Sequence, residues 1–456
     1  MRGALPAVSA LLLSVAILLA GAGLQGTLLG VRAGIEAFTP VALGVIMAAY
    51  YLGFSVGCLS GSWFINRVGH IRTFAVLASI ASAAALLHAL YVTPLSWALL
   101  RIVTGLCLAG LYMVIESWLN GRIDNARRGA LLAIYMIVNF GGAAAGQQLL
   151  RVADPGGFEL FIIASVLMSV ALVPVALTTT VAPAPVVTGR LNLLDLYRIS
   201  PLGTIGAFGA GLANSAFWSL TPLFGVAIGL DTARIATLMS VIIIGGVALQ
   251  WPAGWLSDRF DRRLVITAMT ALLTAVSVAF FLFADADWLV LLAIAFGFGG
   301  FSLTLYSLAV AHTNDQTGDI DLVQVSAGLL LMFGAGSVIG PIAAGVVMER
   351  LGPASLFAFI AAVSAALTLF ALYRMTRRVG VPVDEQTDFV AVTATAGVGA
   401  LDPRTDIEEI EVEFAVAEAA AAVEAEAVAE AAVDAAVEAA AGSGDSPARG
   451  TQRNAS

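Results

Sequence analysis

The chain has 456 residues, of which 59% are apolar and only 12% charged, and its mean hydropathy is +0.94. A soluble domain needs a polar shell, so this composition excludes one and points to a membrane protein. The net charge of −9 describes the end of the chain alone: every basic residue is Arg, with 19 Arg against 15 acids in residues 1–380 and 3 against 16 in residues 381–456.

A helix needs roughly 20 apolar residues to cross the hydrocarbon layer. Runs of that length occupy residues 7–30, 41–65, 73–92, 95–119, 130–150 and 158–180. A more polar, Pro-bearing stretch follows, and then come 202–228, 234–256, 264–284, 288–311, 323–347 and 353–374. The predicted fold is all-α: twelve transmembrane helices in two pseudo-symmetric six-helix bundles, residues 1–180 and 202–375, joined by a linker at 181–201. Residues 376–456 read as an acidic tail, and its 406–441 stretch of Ala, Glu and Val offers little to pack and is expected to be solvated, partly helical or disordered. Counted over the short loops, fourteen Arg fall on the side of the termini and four (Arg32, Arg151, Arg234 and Arg350) on the other. By the positive-inside rule both termini are expected to be cytoplasmic, in an inner membrane.

The halves repeat each other. Trp63 and Arg67 after the second span match Trp255 and Arg259 after the eighth, both at an offset of 192 residues. The same offset pairs Gly53 with Gly245 and Gly105 with Gly297, and Phe140-Gly141 matches Phe333-Gly334 with one residue of slippage. Repeated halves are a mark of secondary transporters, which rock one half against the other around a central site.

The repeated loops hold the first candidate site. One copy carries Asn66, Arg67, Gly69 and Arg72, and the other Asp258, Arg259, Arg262 and Arg263. A carboxylate or amide caps the next helix, and an Arg clamps an acid or a helix end, so the pattern reads as a latch. Its bland alternative is a set of Arg that only fix topology. On the fourth span Arg101 and Glu116 are charges at membrane depth, where a charge is costly and turns to a cavity or a partner. Arg101 reads either as functional or as a structural cation reaching for the interface, and Glu116 either as a titrating group for proton coupling or as a structural partner for Arg67 or Arg72. Neutral polar side chains at depth include Gln25, Asn139, Gln147, Gln148, Asn214, Gln250 and Tyr306.

The loop Gly61-Ser62-Trp63-Phe64-Ile65-Asn66-Arg67-Val68-Gly69-His70-Ile71-Arg72 and its counterpart from Gly254 to Arg263 resemble the signature loop of the major facilitator superfamily. The first copy departs from that signature in carrying Asn66 for Asp, and the second in carrying Asp261 for Gly. Val68-Gly69-His70-Ile71-Arg72, Glu116-Ser117-Trp118-Leu119-Asn120, Arg128-Gly129 and Gly146-Gln147 are similar to the YcaD-like branch of bacterial permeases. The resemblance covers about residues 1–375. It implies that spans 1, 4, 7 and 10 line a cavity, which makes Gln25, Tyr112, Asn214, Trp218 and Tyr306 expected wall residues. It links Arg101, backed by Gly105 and Gly110, to proton coupling. Gly336 to Pro341 on span 11 resembles a Gly-Pro motif that antiporters of this superfamily carry on span 5.

Without Lys the chain has no phosphate-loop lysine and no Schiff-base lysine, which excludes ATP-driven pumping by this chain itself. Two Cys and three scattered His offer no metal cluster. The expectation is a carrier rather than an enzyme: a monomer in the bilayer, moving a small-molecule substrate with protons, without cofactor, metal or nucleic acid. Uniport, and a transporter-fold sensor or scaffold acting through the acidic tail, remain open alternatives at this stage.

Overall fold

The computed structural model describes residues 4–120, 125–177, 192–317, 322–378, 380–392 and 394. The expected tail segment 406–441 therefore lies outside the described residues, as does most of the linker. The first half comprises α1 (Ala4–Ile35), α2 (Pro40–Val68), α3 (His70–Leu90), α4 (Pro94–Asn120), α5 (Asn125–Leu149) and a sixth span divided into α6 (Glu159–Val170) and α7 (Leu172–Ala176). A short α8 (Leu193–Ile199) precedes the second half: α9 (Pro201–Ala227), α10 (Thr232–Ser257), α11 (Arg262–Leu282), α12 (Trp288–Asn314), α13 (Leu322–Leu351) and α14 (Ser355–Met375). Crossing an even number of times, the chain returns to the face where it began. That terminal face carries Arg67, Arg72, Arg259, Arg262 and Arg263, and the opposite, far face carries Arg32, Arg151, Arg234 and Arg350.

Local chemistry sets the helix ends. Thr39 accepts the Ala42 N–H ahead of Pro40, and Asp231 accepts the Arg234 N–H at the start of α10. Ser200 caps α9 in the same way, with Pro201 in its first turn. Between α2 and α3 the whole turn is Gly69, whose φ of 85° favours glycine.

Eleven of the spans are long and apolar enough to cross a membrane by themselves. The twelfth, α9, falls below that hydropathy because it is rich in Gly, Ser and Ala, and 20 of its residues are buried within the protein. It packs against α13, α12, α14 and α1, so little of it meets lipid.

Without a hydrophobic drive between helices in lipid, small residues that admit close backbone approach decide the packing. Gly53 on α2 faces the backbone of Ile102 on α4, and Gly245 on α10 faces that of Phe296 on α12. Gly105 faces Tyr50, and its structural counterpart is Gly299 against Ile242 rather than Gly297. The offset of 192 holds for spans 2 and 8, but spans 4 and 10 are displaced by 194, a two-residue drift in the intervening loops. Gly146 against Ala20 and Gly340 against Leu212 repeat the device between α5 and α1 and between α13 and α9. The expected Gly-Pro motif on α13 thus serves packing: Gly340 meets α9, and the Pro341 carbonyl meets Gly44 of α2.

The two bundles belong to one compact unit, Met1–Thr405. Their seams run along α1 with α9, α2 with α13 and α5 with α10. Close approaches in these seams gather toward the far face: Gly30 on Pro222, Gly34 on Val226, Gly44 on Pro341 and Gly345 on Pro40. Polar bridges lie there too, including Gln148 Nε2 to Ser240 Oγ at 2.6 Å and Arg151 Nη2 to the Ala233 carbonyl at 3.0 Å.

Adding a side chain where two backbones touch overpacks the pair, at a cost of about 1–3 kcal/mol. Gly299→Ala should therefore lower the melting temperature of the purified protein clearly, while Gly297→Ala, whose added carbon meets side chains only at ordinary contact distances, should leave it nearly unchanged. Equal shifts in a thermal-unfolding assay would contradict the assignment of Gly299 as the repeat partner of Gly105.

Candidate functional site

Between the bundles lies a cavity of about 360 Å³, walled by residues from both halves. Five of the six sequence-predicted pathway residues line it: Arg101 and Tyr112 from α4, Asn214 and Trp218 from α9, and Tyr306 from α12. The sixth, Gln25, does not. Its neighbours Gly23, Gly26 and Thr27 face the cavity, while Gln25 is fully buried with both amide atoms unpartnered among the described residues. Successive helical residues are rotated by about 100°, so a neighbour of a wall position points elsewhere.

The wall is aromatic to a degree not foreseen. Tyr50, Tyr51 and Phe54 on α2 and Phe333 on α13 join Tyr112, Trp218 and Tyr306, and Tyr306 meets Phe333 edge-on at 5.1 Å between centroids. Phe140 and Phe333, matched in the sequence, both reach the cavity. Spans 2 and 11 thus line the cavity alongside the four spans expected. Amides tie the wall together: Ser302 Oγ donates to Asn214 Oδ1 across α12 and α9, and Thr27 to Gln147 across α1 and α5.

Arg101 is only 6% exposed. Its guanidinium lies 4.1 Å from the centroid of the Tyr50 ring, a cation–π contact. Among the described residues it forms no ion pair, and its Nε is buried without a partner. Arg101 is the charged residue of the cavity lining, which among the described residues holds no Asp, Glu or His. Gly53-Phe54-Ser55-Val56-Gly57 has the spacing of a hydrolase nucleophile elbow. It lies in the middle of α2, with Ser55 on a wall that offers no base.

Glu116 is fully buried, and Tyr135 donates to its Oε1 at 2.8 Å. Asn139, on the cavity wall, neighbours both Tyr135 and Tyr112. A line of polar groups therefore leads from the cavity to Glu116. The expected pairing of Glu116 with Arg67 or Arg72 is not among the described ion pairs, because both Arg are exposed and Arg67 lies 5.3 Å over the Trp63 ring. Two separate sequence motifs do meet here: His70 Nε2 and Ser117 Oγ are 2.9 Å apart, and the His70 ring stacks on Trp118.

The two latch copies differ. Asn66, Arg67 and Arg72 are exposed, with Gly69 serving the turn. In the second copy Arg262 is buried and pairs with Asp315 at 2.6 Å, each side chain 1% exposed. Arg262 also donates to Ser257 Oγ and the Ala311 carbonyl and approaches Asp258 at 3.4 Å. Arg259 stacks over Trp255 at 4.1 Å. Asp315, within the acidic connection after α12, is the functional candidate the sequence did not single out. Burial raises the Asp258 carboxyl above its ordinary range, against the opposing pull of the Phe389 N–H and Arg262. The hydrogen-bonded Arg263 side chain holds the Asp261 carboxyl below its own, so the Asp261–Arg263 contribution is lost only as pH falls through that lowered value.

Removing one member of a buried ion pair leaves the other charge uncompensated, typically about 3–5 kcal/mol. Asp315→Ala should accordingly destabilise the protein strongly, whereas Asp261→Ala, whose pair is partly exposed, should cost no more than about 1 kcal/mol. Thermal unfolding of both variants checks the order, and a double-mutant cycle with Arg262→Ala gives the coupling.

The family model described as Major Facilitator Superfamily matches residues 11–318 and 203–397. The chain is 29% identical over 345 residues to an uncharacterised MFS-type transporter, YcaD of Escherichia fergusonii, covering 75% of this chain and 88% of that one. Among solved structures it is similar to the nucleoside transporter NupG, with a TM-score of 0.67 at 13% identity over 82% of this chain and 100% of the other. It is also similar to a D-xylose–proton symporter, with a TM-score of 0.65 at 13% identity over 83% and 99%. These low identities speak for the fold alone. With a family model spanning most of its length and a cavity between duplicated bundles, the chain belongs to the major facilitator superfamily and is a multi-pass membrane transporter.

Proposed function

We propose that this transporter is a proton-coupled secondary carrier of a small amphiphilic acid, working by alternating access in the bacterial inner membrane with its termini in the cytoplasm. The observation that carries the substrate class is Arg101, a buried cation on an aromatic wall with no described counter-charge. A charge in a low-dielectric cavity is costly until an opposite charge joins it. An anionic group beside Arg101, with an apolar or aromatic body against Tyr50, Trp218 and Tyr306, satisfies both the charge and the wall. Close packing of the seams supports a state closed at the far face, from which the halves rock about the cavity.

Coupling is assigned to Glu116, the carboxylate at depth among the described spans, reached from the cavity through Asn139 and Tyr135. Arg101 favours deprotonated cargo, and a proton held at Glu116 accompanies it.

A thermal-shift screen of purified protein with aromatic and aliphatic carboxylates, amines and neutral analogues tests the substrate class. Acids should stabilise wild type, and Arg101→Gln should weaken the best of them by at least about tenfold, the scale of one lost charge-assisted contact. Stabilisation by amines, or unaltered acid binding in the variant, would overturn it. With the ligand in proteoliposomes, Glu116→Gln should keep exchange but lose acceleration by a pH gradient. Gradient-driven uptake equal to wild type would instead make Glu116 structural.

A further inference from the structure

The described residues of the segment after α14 stay against the protein. After a short 3₁₀ turn at Val383–Glu385 the chain runs along the second latch. Arg262 Nη2 donates to the Thr387 carbonyl at 2.7 Å. The Thr387 N–H donates to Asp315 at 3.0 Å, and its hydroxyl to the same oxygen at 2.9 Å. Two residues on, the Phe389 N–H donates to Asp258 at 2.8 Å. Deeper still, Ser307 Oγ exchanges hydrogen bonds with both the N–H and the carbonyl of Val392.

Side chains seat the segment as firmly as its backbone. The Phe389 ring lies on Gly254, where a Cβ would collide with it, so the small residue of the second loop makes a socket for this ring. Val390 packs against both apolar clusters, one within the first half and one spanning the two. Val392 is 4% exposed, and Val392 and Ala394 form part of the wall of the central cavity.

From these contacts we propose that the terminal-face mouth of the cavity is a binding groove for an extended peptide, occupied in cis by residues 386–392 and Ala394. This strap blocks the cargo path until it leaves. Each recognition element has a physical cause. Asp258 and Asp315 take backbone N–H groups, Arg262 takes a carbonyl, and Gly254 takes an aromatic ring. Backbone-directed recognition of this kind suits an extended segment, with the Gly254 socket selecting an aromatic side chain. The strap joins the second latch to the cavity, so the carboxylate retained in that copy holds the plug. The consequence for flux rests on the carrier reading; the occupancy of the mouth does not.

Native Cys58 supplies a reporter that needs no cargo, because it lies on the cavity wall while Cys107 is buried. In a Cys107→Ser background, inverted membrane vesicles are treated with a membrane-impermeant sulfonated maleimide. Two variants remove the strap, one ending after Arg378 and one carrying Phe389→Ala in the full chain. Both should raise the labelling rate of Cys58 about tenfold or more, the scale set by burying one aromatic side chain. Rates equal to the parent in both variants would overturn the strap. Should the truncated chain fail to fold, Phe389→Ala decides alone. Raised labelling with no flux of any ligand in any variant would sustain the strap and remove the transport reading.

Discussion

Inside a bilayer, two helices gain little from hiding apolar surface, because lipid offers the same refuge. What holds them is contact between backbones across small residues, helped by a few interhelical hydrogen bonds worth about 0.6 kcal/mol on average. Several seams of this protein obey that constraint. Within each bundle, glycines bring α2 onto α4 and α10 onto α12. Between the bundles, Gly30, Gly34, Gly44 and Gly345 close one face, with no buried ion pair described there. Such a seam is tight but shallow in energy, which suits the proposed rocking of the halves.

The outlines of the fold were legible because hydropathy and Arg placement report directly on the bilayer. The finer register was not. Gly105 and Gly297 share an offset, yet a two-residue drift makes Gly299 the partner, and only the facing carbonyl of Ile242 reveals it. Wall residues were legible where a polar group sat at depth, as with Asn214 and Arg101. Tyr50 and Tyr51 escaped notice because aromatics are ordinary in any span. Gln25 misled because depth says nothing about azimuth. The strap was invisible for a different reason: its polar contacts run mainly through main-chain N–H and C=O groups, which every sequence possesses. Asp315 was hidden by distance along the chain, since Arg262 lies 53 residues away.

Duplication supplied two latches, and they have parted company. The first keeps the turn at Gly69 and places His70 against Ser117 and Trp118, but its Asn66 and both Arg stand in the open. The second retains Asp258, buries Arg262 and adds Asp315. A motif that begins as a symmetric pair has become a turn on one side and a clamp on the other. Asymmetry of this sort gives the terminal face two unlike edges around one opening.

The modest hydropathy of α9 has a consequence for biogenesis. A segment so rich in Gly, Ser and Ala partitions weakly into lipid when it emerges from the ribosome, since its low polarity is balanced by few large apolar groups. Its comfort in the finished protein comes from α1, α12, α13 and α14, three of which are synthesised later. Stable insertion of the seventh span therefore draws on helices not yet made, and the order of translation leaves it waiting, beside α1, for the second bundle to assemble around it.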